Sequence, residues 1–398
     1  MYKPVEHWPF PTKNAMKSTR EGIPNNDRFK IFESRADMIH HNCAKLRTNI
    51  SKHHTVSWIK TDPVHQIYYC FIPKIGSTFW KRVLTVLPSN GTLQSPYDIL
   101  LMQAEKHTSN ISPMVLSKML RKGGQSFMFV RDPYTRLFSA YVNKVYDPNP
   151  IFWKYLNDRI VARIRNKSST RMTLTYSHNV TFPEFIKYIL YQNRNGKKLD
   201  IHYRPMHTFC DPCRTHYTYI GHLETFVDDA TYILSKWRQE FDDVTLQFDN
   251  LPLEAAVDTA RSRVKGLFEA KEILQESQFP FIKLILRTWR DLQIRGYISK
   301  KTEFPFKGDV TNVSSDDVME AIIHALDENH NKINLKMQRQ EALIQAYHQV
   351  PLKDMELLRE YLLLDCLIFG YDDQPSILFD RSRPVDNAFL YLDGLSAK

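Results

Sequence analysis

One stretch constrains this chain more than any other: Tyr68-Tyr69-Cys70-Phe71-Ile72-Pro73-Lys74-Ile75-Gly76-Ser77-Thr78-Phe79-Trp80-Lys81-Arg82-Val83-Leu84. Its first five residues are apolar, the length of a buried strand. Pro73 cannot donate to a sheet ladder, so the strand is expected to end there. From Phe79 the apolar positions change period, and Phe79, Val83, Leu84 and Leu87 fall on one side of a helix. Strand, small polar loop, helix is a geometry that holds a phosphate. Backbone N–H groups at a helix start point at the anion, and the helix dipole adds partial positive charge. Lys74 adds a full charge. The loop is not a Walker A sequence, because its Lys precedes a single Gly. The plainer alternative is a strand-to-helix turn with a solvated Lys.

A second stretch has the same logic. Phe127-Met128-Phe129-Val130 is a short apolar run that ends in Arg131-Asp132-Pro133-Tyr134-Thr135-Arg136-Leu137-Phe138-Ser139-Ala140-Tyr141. Pro133 suits the first turn of a helix. Arg131 leaves the strand end, where ligands of open parallel sheets sit. Arg136 and Ser139 are three apart and share a helix face. An Arg with a hydroxyl there suits a second phosphate, since guanidinium binds phosphate through two parallel hydrogen bonds.

Together the two stretches resemble the sulfotransferases that use 3′-phosphoadenosine-5′-phosphosulfate (PAPS). Pro73 to Arg82 is similar to their 5′-phosphosulfate loop, P-K-x-G-x-T-x-W-K-R. Arg131 to Tyr141 is similar to their 3′-phosphate motif, R-[DE]-P-x-x-R-x-x-S-A-Y. Within that superfamily the chain most resembles the Golgi carbohydrate sulfotransferases of the chondroitin and dermatan 4-O type. His202-Tyr203-Arg204-Pro205, Cys210-Asp211-Pro212-Cys213 and Tyr219-Ile220-Gly221-His222-Leu223-Glu224-Thr225 resemble one block of that subgroup. Tyr361 to Tyr371 resembles its terminal motif. The resemblance covers about 36–241 and 351–371. Ser77 and Phe79 stand where the subgroup usually has Cys or Ala and Asn, Cys366 stands where Phe is usual, and 250–350 matches poorly.

The resemblance implies an α/β, P-loop-like sulfotransferase fold, with a central parallel sheet flanked by helices and a helical C-terminal part. It implies a linker or stem over 1–27 and one sulfotransferase domain over 28–398, with 251–350 divergent and mostly helical. Its donor is PAPS, its product PAP, and no metal is needed. Pro73, Lys74, Ile75, Gly76, Ser77, Thr78 and Phe79 hold the 5′-phosphate end, and Arg131, Asp132, Pro133, Arg136 and Ser139 the 3′-phosphate end. Lys74 neutralises the leaving oxygen. The acceptor it implies is a glycan, a glycosaminoglycan such as chondroitin or dermatan.

Composition sets outer limits. The net charge of +10 favours polyanionic partners, and no nucleic-acid motif is present. Six N-x-[ST] sequons, at Asn49, Asn90, Asn110, Asn166, Asn179 and Asn312, point to a secretory lumen. No long apolar run marks a membrane helix. The family is anchored in the Golgi membrane by an N-terminal helix, so an anchor outside this sequence is expected. Five cysteines leave at least one free or paired between chains. Residues 152–171 are strongly basic, either a solvated helix face or a glycan-binding strip.

The acceptor hydroxyl needs a general base, and histidine suits neutral pH. His107 lies between the two phosphate motifs, where related glycan sulfotransferases keep a catalytic His; His202 opens the acceptor-side block. His207-x-x-Cys210-x-x-Cys213-x-x-His216 has zinc-ligand residue types at a tight spacing, and disulfides are the alternative. Two other functions compete: a non-catalytic glycan-binding protein on the same scaffold, and a P-loop-like kinase.

Overall fold

The computed structural model describes residues 25–46, 58–89, 91–99, 103–104, 109–111, 113–166, 178–246, 250–307, 313–328 and 332–392. His107, most of the expected linker, and the sequons at Asn49, Asn90 and Asn312 lie outside the described residues. The chain divides into two compact units: Met1–Arg136, Asp200–Pro252 and Leu362–Asp373, and Leu137–Leu199, Leu253–Tyr361 and Gln374–Lys398.

The first unit is an α/β layer structure. Its strands are β1 (Ile59–Asp62), β2 (Ile67–Cys70), β3 (Ser109–Ile111), β4 (Gln125–Val130) and β5 (Tyr219–His222), in the sheet order β3-β1-β2-β4-β5. The strand expected from Tyr68 is β2, and every residue of it is buried. The sheet is mixed rather than wholly parallel. β2, β4 and β5 run parallel, as expected, but β1 pairs antiparallel with both β2 and β3. The antiparallel edge comes from a tight turn between β1 and β2, which needs no crossover helix.

The helices of this unit include α1 (Asn25–Lys45), α2 (Ser77–Val86), α3 (Pro113–Leu120) and the first turn of α4 (Pro133–Tyr141). α2 is the helix expected from the period change, and it is buried on nearly every side. Trp80, fully buried, packs edge-on against Phe127 and Trp237 at 4.6 and 6.0 Å. The buried Lys81 and Arg82 lie over the rings of Phe71 and Tyr97, at 4.8 and 5.7 Å.

α1 is fastened to the end of β5 by charge. Asp229, with no exposed surface, accepts from Arg28 (3.1 Å), Arg35 (2.8 Å), the His222 N–H (2.9 Å) and the Thr225 hydroxyl (2.7 Å). A carboxylate buried with that many donors holds its neighbours to one geometry. Disulfides Cys43–Cys213 and Cys70–Cys210 tie α1 and β2 to the 210–213 turn. Cys366 is the free cysteine; burial, with Asp365 beside it, pushes its thiol pKa up.

The second unit is helical: α5 (Asp158–Ile164), α6 (Phe182–Arg194), α8 (Leu253–Glu269 of a helix that starts at Leu251), α9 (Phe281–Ile294), α10 (Ser315–Asp327) and α11 (Lys332–His348). α7 (Phe226–Glu240) belongs to the first unit. α6 starts with a capping box. The Thr181 N–H donates to Glu184 (2.8 Å), and the Glu184 N–H donates to the Thr181 hydroxyl (3.4 Å). Two π-helical turns, Val142–Tyr146 and Trp153–Asn157, were not foreseen, and the Trp153 and Asn157 side chains both donate to the Val145 carbonyl.

Candidate active site

The loop from Pro73 to Gly76 carries the C-terminal end of β2 into α2. Lys74 and Gly76 both have left-handed backbone, φ 72° and 69°. Ile75 between them is fully buried and anchors the loop. Alternation of this kind gathers backbone N–H groups into an anion-binding concavity. At Lys74 it costs about 1 kcal/mol, because a side chain is present. Gly76 is required for a second reason. A Cβ there would lie 2.7 Å from the Phe226 ring, which closes the loop from below. Gly76 is also the N-cap of α2 and has no side chain with which to cap it. A helix start whose N-cap residue makes no side-chain bond leaves its first amides to other acceptors, an anion among them. Lys74, Gly76 and Thr78 are half-buried, alternating with buried Pro73, Ile75, Ser77 and Phe79. Pro73 has no N–H, and the side chains of Ile75, Ser77 and Phe79 turn inward, so these four contribute backbone and shape.

The second motif meets this loop. β2 and β4 are parallel neighbours, so the residues that follow each emerge at one edge of the sheet. Arg131 donates to the Lys74 carbonyl at 3.1 Å. Arg136, 4% exposed, donates to the carbonyls of Pro73 (3.1 Å), Arg204 (2.7 Å) and Ile201 (3.3 Å). Its guanidinium fixes the loop and the 201–204 turn to each other. Asp132 caps α4, accepting from the Thr135 N–H at 2.7 Å, and Pro133 opens that helix as expected. Burial, with Glu224 nearby, moves the Asp132 pKa up against the pull of Thr135 and Arg131. Ser139 is half-buried in the same helix and falls in the second unit.

His202 stands on the turn that Arg136 holds. Asp200 accepts both the His202 N–H (2.9 Å) and the ring Nδ1–H (2.6 Å). That contact assigns the ring proton to Nδ1 and makes Nε2 the basic nitrogen. His207 is used differently. Its Nδ1 and its N–H, with the N–H of Met206, all go to Asp365 at 2.6–2.8 Å. With Cys210 and Cys213 both in disulfides, the zinc-type spacing is not a ligand set.

Sequence reasoning left out one node of this edge. Glu224 accepts the Asp132 N–H at 2.9 Å, and the Tyr371 hydroxyl donates to Glu224 at 3.1 Å. The same hydroxyl lies 3.3 Å from His222 Nδ1. Burial, with Arg35 nearby, pushes the His222 pKa down to about 4, so its ring is neutral at physiological pH. Glu224 and Tyr371 close two of the resembled blocks, which was the available signal, but nothing in the sequence joins them to Asp132.

Residues 57–254 match the Sulfotransferase family. The chain is similar to carbohydrate sulfotransferase 11 of Rattus norvegicus, 32% identical over 44% of this chain and 51% of that one. It is similar to carbohydrate sulfotransferase 9 of Homo sapiens, 33% identical over 57% and 52%. To carbohydrate sulfotransferase 10 of Mus musculus it is 31% identical over 58% and 67%. The chain thus spans about half the length of the first two relatives and two thirds of the third. No solved structure matches it.

Proposed function

Because the chain belongs to the sulfotransferase family, among its carbohydrate sulfotransferases, we propose that it moves a sulfuryl group from PAPS to a hydroxyl of a glycan, a glycosaminoglycan such as chondroitin or dermatan. One observation carries the reading: the Arg131 guanidinium donates to the Lys74 carbonyl at 3.1 Å, so the two motifs read as phosphate-binding meet where β2 and β4 end. The residues there fit a doubly anionic nucleotide. The uncapped α2 terminus and Lys74 suit one phosphate, and Arg131 suits the other.

The bound donor supplies an activated sulfuryl group on a phosphate leaving group. Lys74 neutralises charge on the oxygen that leaves, and the amides from Gly76 onward hold the 5′-phosphate. Arg131 holds the 3′-phosphate. Arg136 and Asp132 keep the two loops in register. His202 is our choice of general base: Nε2 takes the proton of the attacking hydroxyl, and Asp200 stabilises the imidazolium that results. His107 is the alternative base. The disulfides and sequons support an oxidising compartment, the Golgi lumen in this reading. No described helix is long and apolar enough to cross a membrane.

The test is sulfate transfer from labelled PAPS to a panel of desulfated glycans, alongside PAP titration. Lys74→Ala and Arg131→Ala are expected to lower PAP affinity at least tenfold, about 1.4 kcal/mol. His202→Ala is expected to lower transfer 10²–10⁴-fold with PAP affinity intact. Full turnover in His202→Ala but not His107→Ala reassigns the base. Tight PAP binding with no transfer to any glycan supports a non-catalytic binder, and Mg²⁺-dependent nucleotide hydrolysis supports a kinase.

A further inference from the structure

Charge is not spread evenly along this chain. Residues 137–199 contain eleven Lys and Arg against three Asp and Glu, which is eight of the ten net positive charges. Eight of these cations, all among the described residues, fall into two groups. One group is neutralised. Arg165 pairs with Glu184 at 2.6 Å, Lys154 with Glu276 at 3.1 Å and Lys187 with Asp354 at 4.0 Å. The other group is Arg159 and Arg163 on α5, Arg194 at the end of α6, and Lys197 and Lys198 just beyond it. All five are exposed, and none has an acidic partner among the described residues.

The exposed group forms one surface. Arg163 reaches across from α5 to α6, where its guanidinium lies 4.3 Å over the Tyr191 ring and bonds the Tyr191 hydroxyl. Arg194 follows Tyr191 by three residues, close to one helical turn. Arg159 lies 4.4 Å over Tyr155, a ring 45% exposed. A guanidinium resting on an aromatic face has already lost part of its side-chain freedom, so less is lost when it binds an anion. The stacked guanidiniums also cover these ring faces, which makes them poor platforms for unstacked bases. Closely spaced cations with pre-set Arg planes, two of them already seated on the Tyr155 and Tyr191 rings, match a chain of carboxylates and sulfates better than single-stranded nucleic acid.

We propose that Arg159, Arg163, Arg194, Lys197 and Lys198 form a binding surface for an acidic polysaccharide. The choice of a glycan as occupant rests on the carbohydrate sulfotransferase reading; the surface itself does not involve the anion loops of the sheet. The experiment compares the full chain with the variant Arg159→Gln, Arg163→Gln, Arg194→Gln, Lys197→Gln, Lys198→Gln. Binding to chondroitin sulfate, to an oligonucleotide of matched charge and to PAP is titrated over a range of salt. The variant is expected to need at least tenfold more chondroitin sulfate for half-saturation. Its salt slope is expected to fall by about one for each cation that makes a contact. PAP affinity is expected to stay unchanged, and circular dichroism to match the parent. Arg159→Lys with Arg163→Lys keeps the charge but not the planar stack, and should show an intermediate loss. Equal chondroitin sulfate binding by parent and five-site variant overturns the proposal. Tighter binding of the oligonucleotide than of chondroitin sulfate by the parent overturns it too. A chain that binds no PAP but shows the expected glycan loss instead overturns the nucleotide reading and leaves this surface standing.

Discussion

Gly76 concentrates the demands on the sheet edge into one residue. It must take φ 69°, leave space for the Phe226 ring, and start α2 without a capping side chain. Ser77 and Thr78 beside it could each cap a helix, but neither is at the N-cap position, and Gly76, which is, has no side chain to do so. Gly76→Ala adds left-handed strain of about 1 kcal/mol, and the Cβ must displace Phe226 or the loop. The expected result is a stability loss of about 1–3 kcal/mol by urea denaturation, with PAP affinity reduced more than tenfold. A variant that keeps full PAP affinity would show that the loop amides do not hold the phosphate.

The elements differ in how much of them could be read from the chain. β2, its loop and α2 were legible because Pro73 and Gly76 punctuate a clear change of hydrophobic period. The capping box at Thr181 was legible for a similar local reason. β1 was not, since Ile59–Asp62 is four residues long with three of them polar, and β3 is shorter still. Both π-turns escaped because their apolar spacing reads as ordinary helix, and Val145 becomes a shared acceptor only once the fold is made. The node of Asp132, Glu224 and Tyr371 spans 92 and 147 residues of sequence, beyond any local pattern. It makes the turn at Arg131–Pro133 depend on the end of the Leu352–Phe369 helix, after which Gly370 turns the chain at φ 74° toward Tyr371. Tyr371→Phe keeps the ring and removes the hydroxyl. It should cost about 1–2 kcal/mol of stability and raise the KM for PAPS several-fold, with a smaller change in kcat. Equal falls in kcat and kcat/KM would instead place Tyr371 in the transition state.

Across the whole chain, crosslinks and charge are divided between the two units. All five cysteines lie in the unit that holds the sheet, and most of the net charge lies in 137–199 of the other. The two disulfides close spans of 170 and 140 residues onto one short turn, so each removes a large share of unfolded-chain freedom. Loss of one such bridge typically costs about 2–5 kcal/mol, and nested bridges contribute less than their sum. The second unit has no cysteine and relies on packing and buried ion pairs. There Arg263 bridges Asp147 at 2.6 Å and Asp291 at 3.5 Å, and Arg295 adds a bond to Asp291 at 2.8 Å. Reduction should therefore act unevenly. Hydrogen exchange after dithiothreitol is expected to accelerate first in β2, β5 and the 200–216 segment, while α6 and α9 keep their protection. The loop that begins three residues after Cys70 should loosen with β2, so PAP affinity should fall in step with exchange at β2. Uniform acceleration in both units would mean that the bridges stabilise the chain as one cooperative body, and would remove the basis for treating the sheet unit as the part that oxidation secures.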